Sequence, residues 1–204
     1  GKGGSGKSTV AALLAKEYAR QGKRVLVIDC DESNYGLHQQ LGLELPQDLT
    51  DYVGGKQRIM MLSANGPMNV PPLFEGPMTF DDIPEDYVTR KDNLLLLSPG
   101  KIEDANEGCA CAFNIVMAQF LQFLQLQDND VVLMDMEAGI EHLGRGTGNA
   151  CEAVLMVVDP SYESLKLSEK ISEICAQVGH PLYYVLNKVT ARNEAAMLAR
   201  ISDP

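Results

Sequence analysis

Gly1-Lys2-Gly3-Gly4-Ser5-Gly6-Lys7-Ser8-Thr9 opens the chain, and this stretch decides the fold. Gly1-x-x-x-x-Gly6-Lys7-Ser8 satisfies the phosphate-binding loop pattern. Glycines let successive backbone N–H groups converge on phosphate oxygens. Downstream, Val10, Leu13, Leu14 and Tyr18 recur at helical spacing over 8–21, with Gly22 placed to cap the end. A helix beginning near Lys7 turns its positive end toward the same phosphates. The pattern assigns Lys7 to the β- and γ-phosphates and Ser8 to Mg²⁺, with Gly3, Gly4, Ser5, Gly6 and Thr9 completing the cradle.

Working outward, short apolar runs at 24–29, Leu94–Leu97, 131–135, Val154–Val158 and Leu182–Leu186 read as buried strands. Helical patterns at 113–126 and 163–178 separate the later ones. This alternation predicts an α/β fold of three layers, a mostly parallel central sheet with helices on both faces. A loop of this kind ordinarily follows a buried strand. The expectation is therefore a single domain over 1–204 that is a fragment, lacking its first strand and some last elements. Residues 44–93 are rich in Pro and Met and read as an excursion with little regular structure, apart from a short helix within 48–61.

The net charge of −11 argues against nucleic acid and anionic membrane surfaces as partners, since both select clustered Lys and Arg. No stretch approaches the length of a membrane span, and no leader pattern is visible, so the expected compartment is the cytoplasm. Five cysteines in 204 residues do not make a disulfide scaffold, and metal binding or redox chemistry is the sharper reading.

Three further features belong with the phosphate loop. Val131-Val132-Leu133-Met134-Asp135 is an apolar run ending in a carboxylate, the Walker B arrangement, with Asp135 on the metal. Ile28-Asp29-Cys30-Asp31 ends another run in two acids. Asp31 is placed to orient the attacking water, while Asp29 reads equally as a strand-end residue. Leu186-Asn187-Lys188-Val189-Thr190 lacks the acid that a guanine reader needs at its fourth position, whereas the Asn187 amide suits an adenine edge. ATP is therefore the expected nucleotide.

Gly108-Cys109-Ala110-Cys111 precedes the 113–126 helix. Two thiols at this spacing chelate a soft metal, and a thiolate is favoured at a helix N-terminus. Two chains across a two-fold axis would supply four sulfurs, tetrahedral for Zn²⁺ or square-planar for Ni²⁺. Burial of Cys109 and Cys111 as small core residues stays open beside this. Cys30, Cys151 and Cys175 read as core positions, with a redox or ligand role for Cys30 as its alternative. Copper ligation by Met60, Met61, Met68 and Met78 is weaker than ordinary gap-filling.

Lys2 is not required by an ordinary phosphate loop. Lys2-Gly3-Gly4-x-Gly6-Lys7-Ser8 resembles the deviant Walker A signature of the septum-site and plasmid-partition ATPases, the nitrogenase iron protein and several metal-centre maturation ATPases. That resemblance implies a homodimer closing over nucleotide, with Lys2 acting in trans on the phosphates. The iron protein carries a cysteine seven residues after the Walker B acid; His142 stands there here, which disfavours electron transfer. The stretch from Asp135 through Glu141 and His142 to Gly146 resembles the switch region of carbon monoxide dehydrogenase maturation ATPases, as does the Cys109/Cys111 pair. Val157-Val158-Asp159-Pro160-Ser161 resembles their strand end beside the base. The family implies an ATPase assisting nickel insertion into a carbon monoxide dehydrogenase client, with Glu141 and His142 in a loop that senses the γ-phosphate. A partition- or septum-type positioning ATPase and an iron–sulfur carrier ATPase are the alternatives.

Overall fold

A computed structural model describes residues 1–31, 35–101, 111–137 and 151–201. They fall into two compact units, residues 11–136 in one and residues 1–10 with 137–204 in the other. Helix α1 (Lys7–Arg20) begins in the second of these and continues in the first.

In the unit of residues 11–136, four strands lie in the order β2 (Thr89–Lys91), β3 (Leu94–Leu97), β1 (Arg24–Cys30), β4 (Asp130–Met136). β1 runs parallel to both neighbours, with Leu26 level with Leu95 on one side and Val132 on the other. Successive side chains along a strand point to opposite faces, and these strands are apolar on both. Val25, Val27, Leu96, Val131 and Leu133 pack with Ala12 and Ala15 of α1 and with α2 (Leu37–Leu41). Leu26, Ile28, Leu95, Leu97, Val132 and Met134 pack on the other face with α3 (Leu49–Tyr52), α4 (Gly55–Leu62) and α5 (Cys111–Phe123). The layered, mostly parallel arrangement read from the sequence is the one observed.

The excursion over 44–93 is more regular than expected. It holds α3, α4, four single 3₁₀ turns and the antiparallel edge strand β2. Phe74, Phe80, Ile83 and Val88 are buried in the main core, and these anchors, not periodicity, fold the segment. Thr79 and Asp82 form a reciprocal capping box around the turn Phe80–Asp82. The same segment trims α5. Met78 N–H donates to Phe123 O at 2.9 Å and Gln125 N–H donates to Met78 O at 2.8 Å, which draws the chain out of helix at Leu124.

In the other unit, β5 (Val154–Val158) and β6 (Leu182–Leu186) pair in parallel through α6 (Tyr162–Val178). Met156 and Val158 pack on Leu165, Ile171 and Cys175, with Met197 of α7 (Glu194–Leu198) closing the cluster. Ser161 caps α6 by accepting from Ser164 N–H at 3.3 Å.

Candidate phosphate cradle and acidic strand ends

The loop preceding α1 turns at Gly4 (φ +75°) and Gly6 (φ +101°), both in the left-handed region. Ser5 N–H donates to Lys2 O at 3.1 Å, closing the turn. A Cβ at Gly6 would strike the Asn187 amide, whereas one at Gly3 or Gly4 would meet nothing within 4 Å, so that side of the loop is open. Asn187 Nδ2 donates to Ser5 O at 2.8 Å and Lys188 Nζ donates to Gly4 O at 2.7 Å. In a trans peptide the next N–H points opposite to the carbonyl. Holding Ser5 O on Asn187 thus turns Gly6 N–H the other way. Asn187 Oδ1 accepts Lys188 N–H at 2.9 Å, and Lys188 itself is left-handed (φ +57°).

Both loop lysines rest on the chain's own acceptors. Lys7 Nζ donates to Lys2 O at 3.3 Å. Lys2 Nζ donates to Ser161 Oγ and pairs with Glu163 Oε2, each at 3.4 Å. These are long for charge-assisted contacts, which run about 2.7–2.9 Å. Two ammonium groups loosely held beside an open cradle suit a polyphosphate. The buried Ser5 hydroxyl, without a partner among the described residues, faces the same need.

Asp159, at the end of β5, accepts from Ser161 N–H at 3.0 Å and Ser161 Oγ at 2.5 Å, with Lys188 Nζ at 3.7 Å. Burial opposes its charge, but the Ser161 donors, with Lys188 and Lys2, outweigh it and hold the carboxyl below the usual range. Glu163 is likewise lowered, by its own backbone N–H and then by Lys2.

The acids of the other unit are built differently. Asp29 and Asp135 are register partners on β1 and β4, exposed by only 1% and 3%. Lys101, just past β3, is also buried; its Nζ lies 2.7 Å from Asp29 Oδ2 and donates to Asp31 O at 2.6 Å. Asp31 N–H in turn donates to Asp29 Oδ1 at 3.3 Å. Burial pushes the Asp29 carboxyl up, against the pull of Lys101. Sequence reasoning missed Lys101, because a lysine after Pro99-Gly100 carries the signature of an exposed turn. The Asp135 carboxylate and the Ser8 hydroxyl are hard oxygen donors of the kind Mg²⁺ takes.

Cys111 begins α5 and is disulfide-bonded, while Cys30, Cys151 and Cys175 are thiols. Desolvation raises the Cys151 and Cys175 thiols; Cys175 is buried in the cluster of β5 and α6, whereas Cys151 is half-buried. Cys109, Glu141 and His142 lie outside the described residues. Among the described residues no group of three or more His, Cys, Asp or Glu is placed to hold a metal, and no helix is long and apolar enough to cross a membrane.

Comparison with known proteins places this loop and fold. The model of the CobQ/CobB/MinD/ParA nucleotide binding domain matches residues 1–201, and the chain belongs to that family of P-loop ATPases. An uncharacterized ATP-binding protein of Methanocaldococcus jannaschii is 45% identical over 203 residues, 99% of this chain and 82% of that protein. The carbon monoxide dehydrogenase accessory protein CooC of Rhodospirillum rubrum is 31% identical over 199 residues, 94% of this chain and 73% of that protein. Among solved structures, the septum site-determining protein MinD of Pyrococcus horikoshii, complexed with Mg-ADP, matches in fold at a TM-score of 0.67 and 21% identity. That match covers 100% of this chain and 75% of the other.

Proposed function

We propose that this chain is a cytoplasmic, homodimeric ATPase of metal-centre maturation, delivering nickel to a carbon monoxide dehydrogenase or a closely related client. The observation that carries the reading is the sequence Cys109-Ala110-Cys111, whose Cys111 begins α5, in a chain 31% identical to a carbon monoxide dehydrogenase accessory protein. The backbone of Gly3, Gly4, Ser5 and Gly6, with Lys7 and Thr9, grips the triphosphate of ATP. Ser8 and Asp135 would hold Mg²⁺, which when bound would supply positive charge to the phosphate oxygens. Asp31 orients a water whose oxygen bonds to the γ-phosphorus as the bond to ADP breaks, giving ADP and phosphate. Lys2 leaves Ser161 and Glu163 and acts on the partner's nucleotide, stabilising transition-state charge as an arginine finger does. Asn187 contributes by holding the loop, and its remaining N–H serves the adenine. The cargo is Ni²⁺ or Zn²⁺, shared by Cys109 and Cys111 of both chains once the Cys111 disulfide is reduced.

The test is metal content under reducing conditions. With ATP and Mg²⁺ present, wild type retains one nickel or zinc per two chains, and Cys109→Ser with Cys111→Ser retains none while still hydrolysing ATP. Unchanged metal in that variant contradicts the sulfur site. A brown protein after anaerobic purification favours an iron–sulfur cargo, and ATP-dependent binding to vesicles or DNA without metal favours a positioning ATPase.

A further inference from the structure

We infer that Lys101 is a positioning residue for ATP hydrolysis, holding the Asp29-Cys30-Asp31 turn in the conformation from which Asp31 acts on water. The Lys101 ammonium bridges the side chain of one acid and the backbone of the other, at 2.7 Å to Asp29 Oδ2 and 2.6 Å to Asp31 O. Through the same pair, Asp31 N–H is held on Asp29 Oδ1 at 3.3 Å. Both backbone groups of Asp31 therefore bond to members of one buried ion pair. Lys101 is itself anchored from behind. Its N–H donates to Asp48 Oδ2 at 3.1 Å, while Ser98 O and Pro99 O accept from Leu49 and Thr50 N–H at 2.9 and 3.1 Å. The Tyr35 ring lies 5.6 Å from the ammonium. Asp135, the register partner of Asp29 on β4, is buried beside this pair.

This rests on the role given to Asp31 above, so Asp31→Asn is measured in parallel; wild-type turnover there overturns that role and this proposal with it, whereas lost turnover there with wild-type turnover in Lys101→Met overturns this proposal alone. Lys101→Met lowers kcat at saturating ATP and Mg²⁺ by at least about tenfold, with KM for ATP within about threefold, a split that marks loss of transition-state stabilisation. Combining it with Asp29→Asn removes the uncompensated charge, so the thermal midpoint recovers while kcat does not. Recovery of kcat together with stability makes Lys101 merely structural and overturns the proposal. Lys101→Arg keeps the charge and the fold, but its fork cannot place one nitrogen between both acceptors. It is expected to lose kcat as well, and wild-type kcat in that variant is the second overturning result.

Discussion

The chain handles its cations in two opposite ways. At the glycine loop, Lys2 and Lys7 sit 3.3–3.4 Å from their acceptors, and Glu163 is largely exposed. At the end of β1, Lys101 is sealed against Asp29 and Asp31 at 2.6–2.7 Å. A loosely held surface cation costs little to move, because water and salt already share it. A buried pair exchanges for nothing, since separating it strands a charge in a medium that solvates it poorly. The first arrangement suits groups that must change partner when a phosphate arrives. The second suits groups that hold a fixed position, as the proposed role of Asp31 requires.

That contrast can be broken at several points. Lys2→Ala is expected to cut kcat by about a thousandfold, the scale of an arginine finger, while ATP affinity and unfolding midpoint stay at wild type. Steady-state turnover, calorimetric titration and urea denaturation of the same preparation check this together. On the buried side the order of effects reverses. Asp29→Ala leaves Lys101 uncompensated and lowers stability by about 3–5 kcal/mol, read from the urea midpoint. If Lys2→Ala unfolds the protein and Asp29→Ala does not, the contrast is drawn the wrong way round.

Smaller changes sharpen the picture. Asn187→Ala frees Ser5 O from its donor and weakens ATP binding by about fivefold, near 1 kcal/mol, through a looser loop. No change in affinity would mean that the loop keeps its shape unaided. The Asp159 carboxyl lies below the ordinary range in the folded chain, so its contribution to stability is present above a pH of about 4 and fades as pH falls through the lowered value. The urea-midpoint difference between wild type and Asp159→Asn should therefore shrink steadily below that pH. A difference that persists undiminished at lower pH assigns the effect to packing.

Much of this was legible in the residues alone. The glycine loop, α1 and the apolar strands carry their own local signals, because a phosphate nest and a strand buried on both faces are each written in consecutive residues. What was not legible depends on partners far along the chain. Asn187 suggests a base reader from its neighbours, yet its amide is committed to Ser5, 182 residues away in sequence. Lys101 pairs with Asp29 across 72 residues, and no local pattern distinguishes it from a surface lysine. β2 is a three-residue polar strand, Thr89-Arg90-Lys91, recruited only because Asp92 turns left-handed (φ +52°) and returns the chain along β3. Phe80 and Phe74 organise the Pro-rich excursion by reaching a core formed elsewhere, which periodicity does not record.

The most direct measurement is the mass of the reduced protein at sedimentation equilibrium, with metal content determined on the same sample. Without nucleotide the protein is expected to be a single chain. With ATP, Mg²⁺ and nickel the expected species is a pair of chains carrying one ion, with Lys7→Ala staying single under the same conditions. A wild-type protein that remains one chain with ATP and metal both present, or that pairs and holds its ion regardless of nucleotide, contradicts it.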